Sequence, residues 1–136
     1  GEGEGALSAA NNVLAVEDNL GWKADGLLDR GRALLMLNRA AEARIAADEG
    51  AALHPQGRTS AGLRILSGDL NFNSKNYGPA AADYLNVIQF HEDVDLKPQA
   101  IWKYIRVLEE QGKAAEAETF RLKLKTEFPN WKPPVR

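Results

Sequence analysis

The 136-residue sequence contains no cysteine, which excludes disulfide staples, thiolate metal sites and cysteine nucleophiles while leaving cytoplasm and periplasm equally open. No apolar run approaches the roughly 20 residues that span a bilayer, so direct membrane insertion is not expected. An excess of one charge sign is also missing: 17 Lys and Arg stand against 19 Asp and Glu, a formal net charge of -2. Nucleic acid and anionic lipid, which attract strongly basic surfaces, are therefore not the expected partners. Histidine is reduced to His54 and His91. The opening Gly-Glu-Gly-Glu-Gly carries neither an initiator Met nor a signal-type charged and apolar segment, so the expectation is a piece of a longer protein.

What is present is an internal period. At 136 residues and 44% hydrophobic content one folding unit is expected, and an offset of 37 residues aligns its landmarks. Gly31 maps onto Gly68, and Ala43 onto Ala80 and Ala117, while Leu27 and Leu34 map two periods on to Ile101 and Leu108. Pro55 maps onto Pro129, and His54 onto His91. Within the first unit Leu27, Gly31 and Leu34 share one helical face, and Ala43, Ala47 and Gly50 repeat that spacing in a second stretch. Residues this small let two helix axes approach closely, with a tight turn near Asn38 and Pro55 closing the second helix. The third unit repeats the plan, with Pro98 at a helix start, Gly112 in the turn and Pro129 at the end. The second unit is looser, since Arg64 and Asn71 stand where the others carry apolar residues, but Tyr77, Ala80 and Tyr84 give it a stripe.

This order of large apolar residue, glycine, large apolar residue, turn, alanine, small residue and proline resembles the tetratricopeptide repeat. Leu27, Gly31, Leu34, Ala43, Ala47, Gly50 and Pro55 fall on its signature positions, as do Tyr77, Ala80 and Tyr84, and Gly112, Ala117 and Pro129. The resemblance implies an all-α fold, a right-handed α-solenoid of antiparallel helical hairpins with about seven helices. Its units would be a half-repeat at about 6–20 and repeats at about 22–57, 58–96 and 97–131. The family period is about 34 residues, so the extra length is expected in the second helices or in the turns between hairpins.

Catalytic apparatus is not legible. Ser8, Ser60, Ser67 and Ser74 have no glycine elbow, and neither histidine has a triad context. Two histidines one period apart make a poor metal site, and Glu92, Asp93 and Asp95 lack the glycine and distal glutamate of a calcium loop. No enzyme, metal or cofactor is expected. Trp22, Trp102 and Trp131 are expected in the core, with Trp131 folding back over the third hairpin. Arg121, Lys123, Lys125 and Lys132 are read as complementing the last helix's dipole.

In this family the first helices line a concave groove, and a rotation of about 100° from the packing stripe assigns its inner positions to Arg32, Met36, Asp69, Phe72, Asn73, Trp102, Arg106 and Glu109. The expectation is a scaffold that binds a protein or peptide there, with Met36, Phe72 and Trp102 as anchors. Arg32 and Asp69 depart from the carboxylate-clamping pattern of some relatives. A second expectation is homo-oligomerisation through the unpaired half-repeat, whose Leu7, Val13, Leu14 and Val16 would need cover.

Overall fold

The computed structural model describes residues 20–134. Among these residues there are six helices and no strand: α1 Leu20–Met36, α2 Ala40–Ala52, α3 Gly57–Asn73, α4 Tyr77–Phe90, α5 Leu96–Glu110 and α6 Ala114–Glu127. The expected helical segment at about 6–20, with Leu7, Val13, Leu14 and Val16, falls almost wholly outside the described residues, so the count is six rather than about seven. Each helix packs on the next, and in addition α1 packs on α3 and α3 on α5.

The 37-residue period is written most clearly in the turns. Asn38, Lys75 and Gly112, spaced by 37, all take left-handed backbone, with φ of 60°, 62° and 73°. In each turn the residue after the left-handed one donates its N–H to the carbonyl five residues back: Arg39 to Leu34, Asn76 to Asn71 and Lys113 to Leu108, all at 2.8 Å. That bond satisfies a carbonyl the helix end would leave orphaned. The same residue's carbonyl then receives the N–H of Ala43, Ala80 or Ala117 at 3.0 Å, opening the next helix. These three alanines are fully buried; a larger side chain there would hold the paired helices apart.

The glycines on the first helices are contact points. A Cβ at Gly31 would stand 2.5 Å from Cδ2 of Leu66, and one at Gly68 would stand 2.5 Å from the Tyr84 ring. Around them the apolar stripes close into two clusters. Leu27, Leu28 and Leu34 of α1 meet Ala43, Ala46 and Ala47 of α2 and Leu63, Leu66 and Leu70 of α3. Ala61 and Ile65 of α3, with Tyr84, Val87 and Ile88 of α4, join Ile101, Tyr104 and Leu108 of α5 and Ala117 of α6. A wholly buried Ile101 or Leu108 contributes about 1.5–3 kcal/mol by leaving water.

Beside these clusters a polar network links α2, α3 and α4. Asp83, only 6% exposed, accepts hydrogen bonds from Ser67 and Asn71 at 2.8 Å and from Arg64 at 3.2 Å. Arg44 of α2 donates to Ser67 Oγ at 2.9 Å and to Asn71 Oδ1 at 3.2 Å. Arg64 and Asn71, which break the apolar register of the second unit, are thus the donors that make burial of Asp83 tolerable.

Of the two places where extra length was expected, the second helices are not the longer elements: they have 13 or 14 residues against 15 or 17 for the first helices. The linkers 53–56 and 91–95 are longer than the three-residue turns within pairs. Linker 91–95 is pinned by Asp93, whose carboxylate accepts the N–H groups of Asp95 and Leu96 at 2.9 Å and lies 3.2 Å from Arg58. Trp22 is not core but 60% exposed, because two residues of helix place it about 200° from the buried Ala24.

Candidate functional site

Three adjoining cavities run along α1, α3 and α5, the third of them shared with α6 through Arg121, Leu124 and Lys125. The first, about 430 Å³, includes Arg32, Met36 and Asp69 in its lining. The second, about 390 Å³, includes Asp69, Phe72, Asn73, Trp102 and Arg106. The third, also about 390 Å³, includes Trp102, Arg106 and Glu109. Asp69 and Lys103 border both the first and second, and Trp102 and Arg106 both the second and third, so the three adjoin in series. All eight residues expected on the inner faces are brought together here, as their recurrence at i, i+3, i+4 and i+7 requires.

Their charges are not equally available. Asp69 is half-buried and already engaged: Lys103 Nζ donates to both its oxygens at 2.8 and 2.7 Å, and the Tyr84 hydroxyl donates to Oδ1 at 2.5 Å. Burial of Tyr84, followed by the neighbouring Asp69 carboxylate, pushes the phenol well above its ordinary pKa of 10, so it acts as a donor and not as an anion. Glu109 receives Arg121 at 3.3 Å, and Arg32 lies 3.8 Å from Asp29 on its own helix.

Arg106 differs from these. Its guanidinium lies 4.9 Å from the Phe72 ring centroid and 5.4 Å from that of Trp102, and no carboxylate lies within ion-pair distance of it among the described residues. Stacking leaves the guanidinium edge and its donors able to meet a ligand while two ring faces hold the plane. Trp102 also meets Trp131, with ring centroids 6.3 Å apart, so Trp131 does fold back, onto the inner face of α5.

Lys103, Tyr84 and Leu35, and on the α6 side Arg121, Leu124 and Lys125, also line these cavities and were not among the eight expected residues. Lys103 and Asp69 lie 34 residues apart, an interval the 37-residue register does not flag. The Leu35, Phe72 and Glu109 column was legible in part, because Phe72 and Glu109 are its later members at one-period steps.

A larger opening of about 540 Å³ lies on the other side, between α2 and α3, lined by residues including Asp48, His54, Ser60 and Arg64. Arg64 is tied to Asp83 at 3.2 Å and Asp48 lies 3.7 Å from Arg44. With no aromatic wall and its strongest charges paired, it is the weaker candidate. His54 is exposed in linker 53–56 and His91 half-buried at the end of α4. Among the described residues no group of three or more His, Cys, Asp or Glu is placed to hold a metal, and no helix is long and apolar enough to cross a membrane. In the basic cluster near the end of α6, Arg121 pairs with Glu118 at 2.8 Å and Lys123 with Glu127 at 2.5 Å, so the field there is mixed.

Comparison with protein-family models, with curated proteins and with solved structures gives no match. The groove is therefore read from its geometry.

Proposed function

We propose that the chain is a non-enzymatic scaffold of tetratricopeptide-like hairpins, a right-handed α-solenoid that binds an extended peptide or a helix of another protein along α1, α3 and α5. The observation that carries this reading is the placement of Arg32, Met36, Asp69, Phe72, Asn73, Trp102, Arg106 and Glu109 in the walls of three adjoining cavities. The thrice-repeated turn at Asn38, Lys75 and Gly112 supports the repeat architecture. Anchor energy would come from the aromatic faces of Phe72 and Trp102 with Arg106 between them, the residue types that dominate binding hot spots. Exposed Met36 offers an adaptable apolar end.

The test is selection from a displayed peptide library on the wild-type chain and on Phe72→Ala/Trp102→Ala. Peptides enriched on the wild type should lose at least tenfold in affinity on the variant, about 1.4 kcal/mol, while circular dichroism shows the helices intact. Equal enrichment on both would sink the groove reading. Self-association, the second expectation, rests on residues outside those described, and no observation here favours it.

A further inference from the structure

We infer that the groove recognises an extended aromatic-and-proline segment, and that the chain's own Trp131–Pro134 occupies this site as a displaceable internal ligand. The inference rests on the groove reading above and adds the chemistry of the partner.

After α6 ends at Glu127 the chain does not leave the fold. Trp131 stacks at a tilt on Trp102, Pro133 and Trp131 border the third cavity, and Pro134 borders the second, beside Phe72, Tyr84 and Arg106. The segment thus crosses from the end of α6 over α5 toward α3, along the surface assigned to a partner. Proline fixes φ near −65° and removes a donor, so Pro133-Pro134 favours a polyproline II path that asks nothing of the groove's hydrogen bonds. Aromatic-walled grooves accept such segments because little conformational freedom is lost on docking. The groove supplies the matching walls in Phe72, Trp102 and the flat guanidinium of Arg106.

The internal ligand is lightly held. The N–H of Trp131 donates to Phe128 within the segment itself at 3.1 Å, and among the described residues no hydrogen bond or ion pair ties Trp131, Lys132, Pro133 or Pro134 to α3 or α5. Pro133 and Pro134 are exposed. A segment held by one ring pair and apolar contact yields to a competitor of the same chemistry, and while it is docked it lowers the competitor's apparent affinity by the fraction of molecules left open.

The experiment uses a fluorescently labelled synthetic peptide, Phe-Pro-Asn-Trp-Lys-Pro-Pro-Val-Arg, titrated against the full 136-residue chain and its Trp131→Ala and Pro133→Ala/Pro134→Ala variants. Both variants are expected to bind the peptide roughly tenfold more tightly than wild type, and Phe72→Ala added to either should remove that binding. The indole N–H resonance of Trp102 should shift in Trp131→Ala and shift again when peptide is added. The double proline variant leaves the Trp131–Trp102 contact in place, so it reports even where loss of Trp131 perturbs the third pair. Absence of peptide binding to both variants with helices intact, or binding equal to wild type, would overturn the inference. In that event, library peptides of other composition that still depend on Phe72 and Trp102 would leave the groove reading standing; their absence would remove both.

Discussion

The ring of Tyr84 lies against the bare α-carbon of Gly68, so close that a Cβ there would stand 2.5 Å from Cε1 and 2.8 Å from Cζ. Gly68→Ala must move a ring whose hydroxyl is held by Asp69. A net loss of up to about 2 kcal/mol is expected, overpacking of about 1–3 kcal/mol less about 1 kcal/mol for alanine's helix preference. Gly31→Ala meets only the tip of Leu66 at 2.5 Å, which can turn aside, and should lose less. Urea unfolding of the two variants decides this; equal losses would show that the Tyr84 ring is freer than its contacts imply.

Tyr84 also sets a pH limit. Its folded pKa is raised above the ordinary 10 by burial first and the Asp69 carboxylate second. A raised pKa means that its contribution is complete below pH 10 and lost as pH rises above it, because only the unfolded chain ionises there. The expected slope is about 1.4 kcal/mol per pH unit for the one proton. Tyr104, raised by burial and then by Glu116, adds a component of its own. Stability measured from pH 9 to 11 should fall less steeply in Tyr84→Phe than in wild type, and parallel curves would refute the assignment.

Lys75 holds φ at 62°, where its counterparts are Asn38 and Gly112. A side chain in left-handed backbone costs roughly 1–2 kcal/mol, which asparagine lessens and glycine avoids. Lys75→Gly should therefore stabilise by about 0.5–1 kcal/mol and Gly112→Ala destabilise by about 1 kcal/mol. Thermal unfolding gives both signs directly, and destabilisation by Lys75→Gly would mean that the lysine side chain has a role in the turn beyond its backbone.

Asp83→Ala leaves Arg64, Ser67 and Asn71 without their acceptor. Because Arg64 is half-exposed and can rehydrate, the expected loss is about 2–3 kcal/mol, below that for a fully buried pair. Asp83→Asn, which keeps the shape and one acceptor, should lose about half as much. A loss under about 0.5 kcal/mol for Asp83→Ala would show that water already serves these donors.

Much of this architecture was legible because the period is local. Small residues at Gly31, Gly68, Ala43, Ala80 and Ala117 and left-handed turns at Asn38 and Gly112 announce themselves in one dimension, and the groove stripe follows by rotation from the packing stripe. What escaped depends on partners far apart in sequence. Arg64 and Asn71 read as defects until Asp83 and Arg44 are beside them, and Lys103 gains meaning only with Asp69 across the groove. Lys75 conceals its turn because nothing in a lysine signals positive φ. Trp131 was expected over the third pair, but its seat on Trp102 depends on the path of residues 128–134, which no periodicity governs.

The polar seam around Asp83 has a mechanical meaning. Asp83 ties α3 to α4, and Arg44 extends the seam from α2 onto Ser67 and Asn71, while α3 contributes apolar side chains to the clusters on both of its flanks. Separating α1 and α2 from the rest exposes groups that water can solvate as well as apolar surface, whereas parting α4 from α5 exposes mostly apolar surface. A chain drawn from its amino-terminal side would open first along that line, leaving α3 through α6 as the part that holds the groove's aromatic end together.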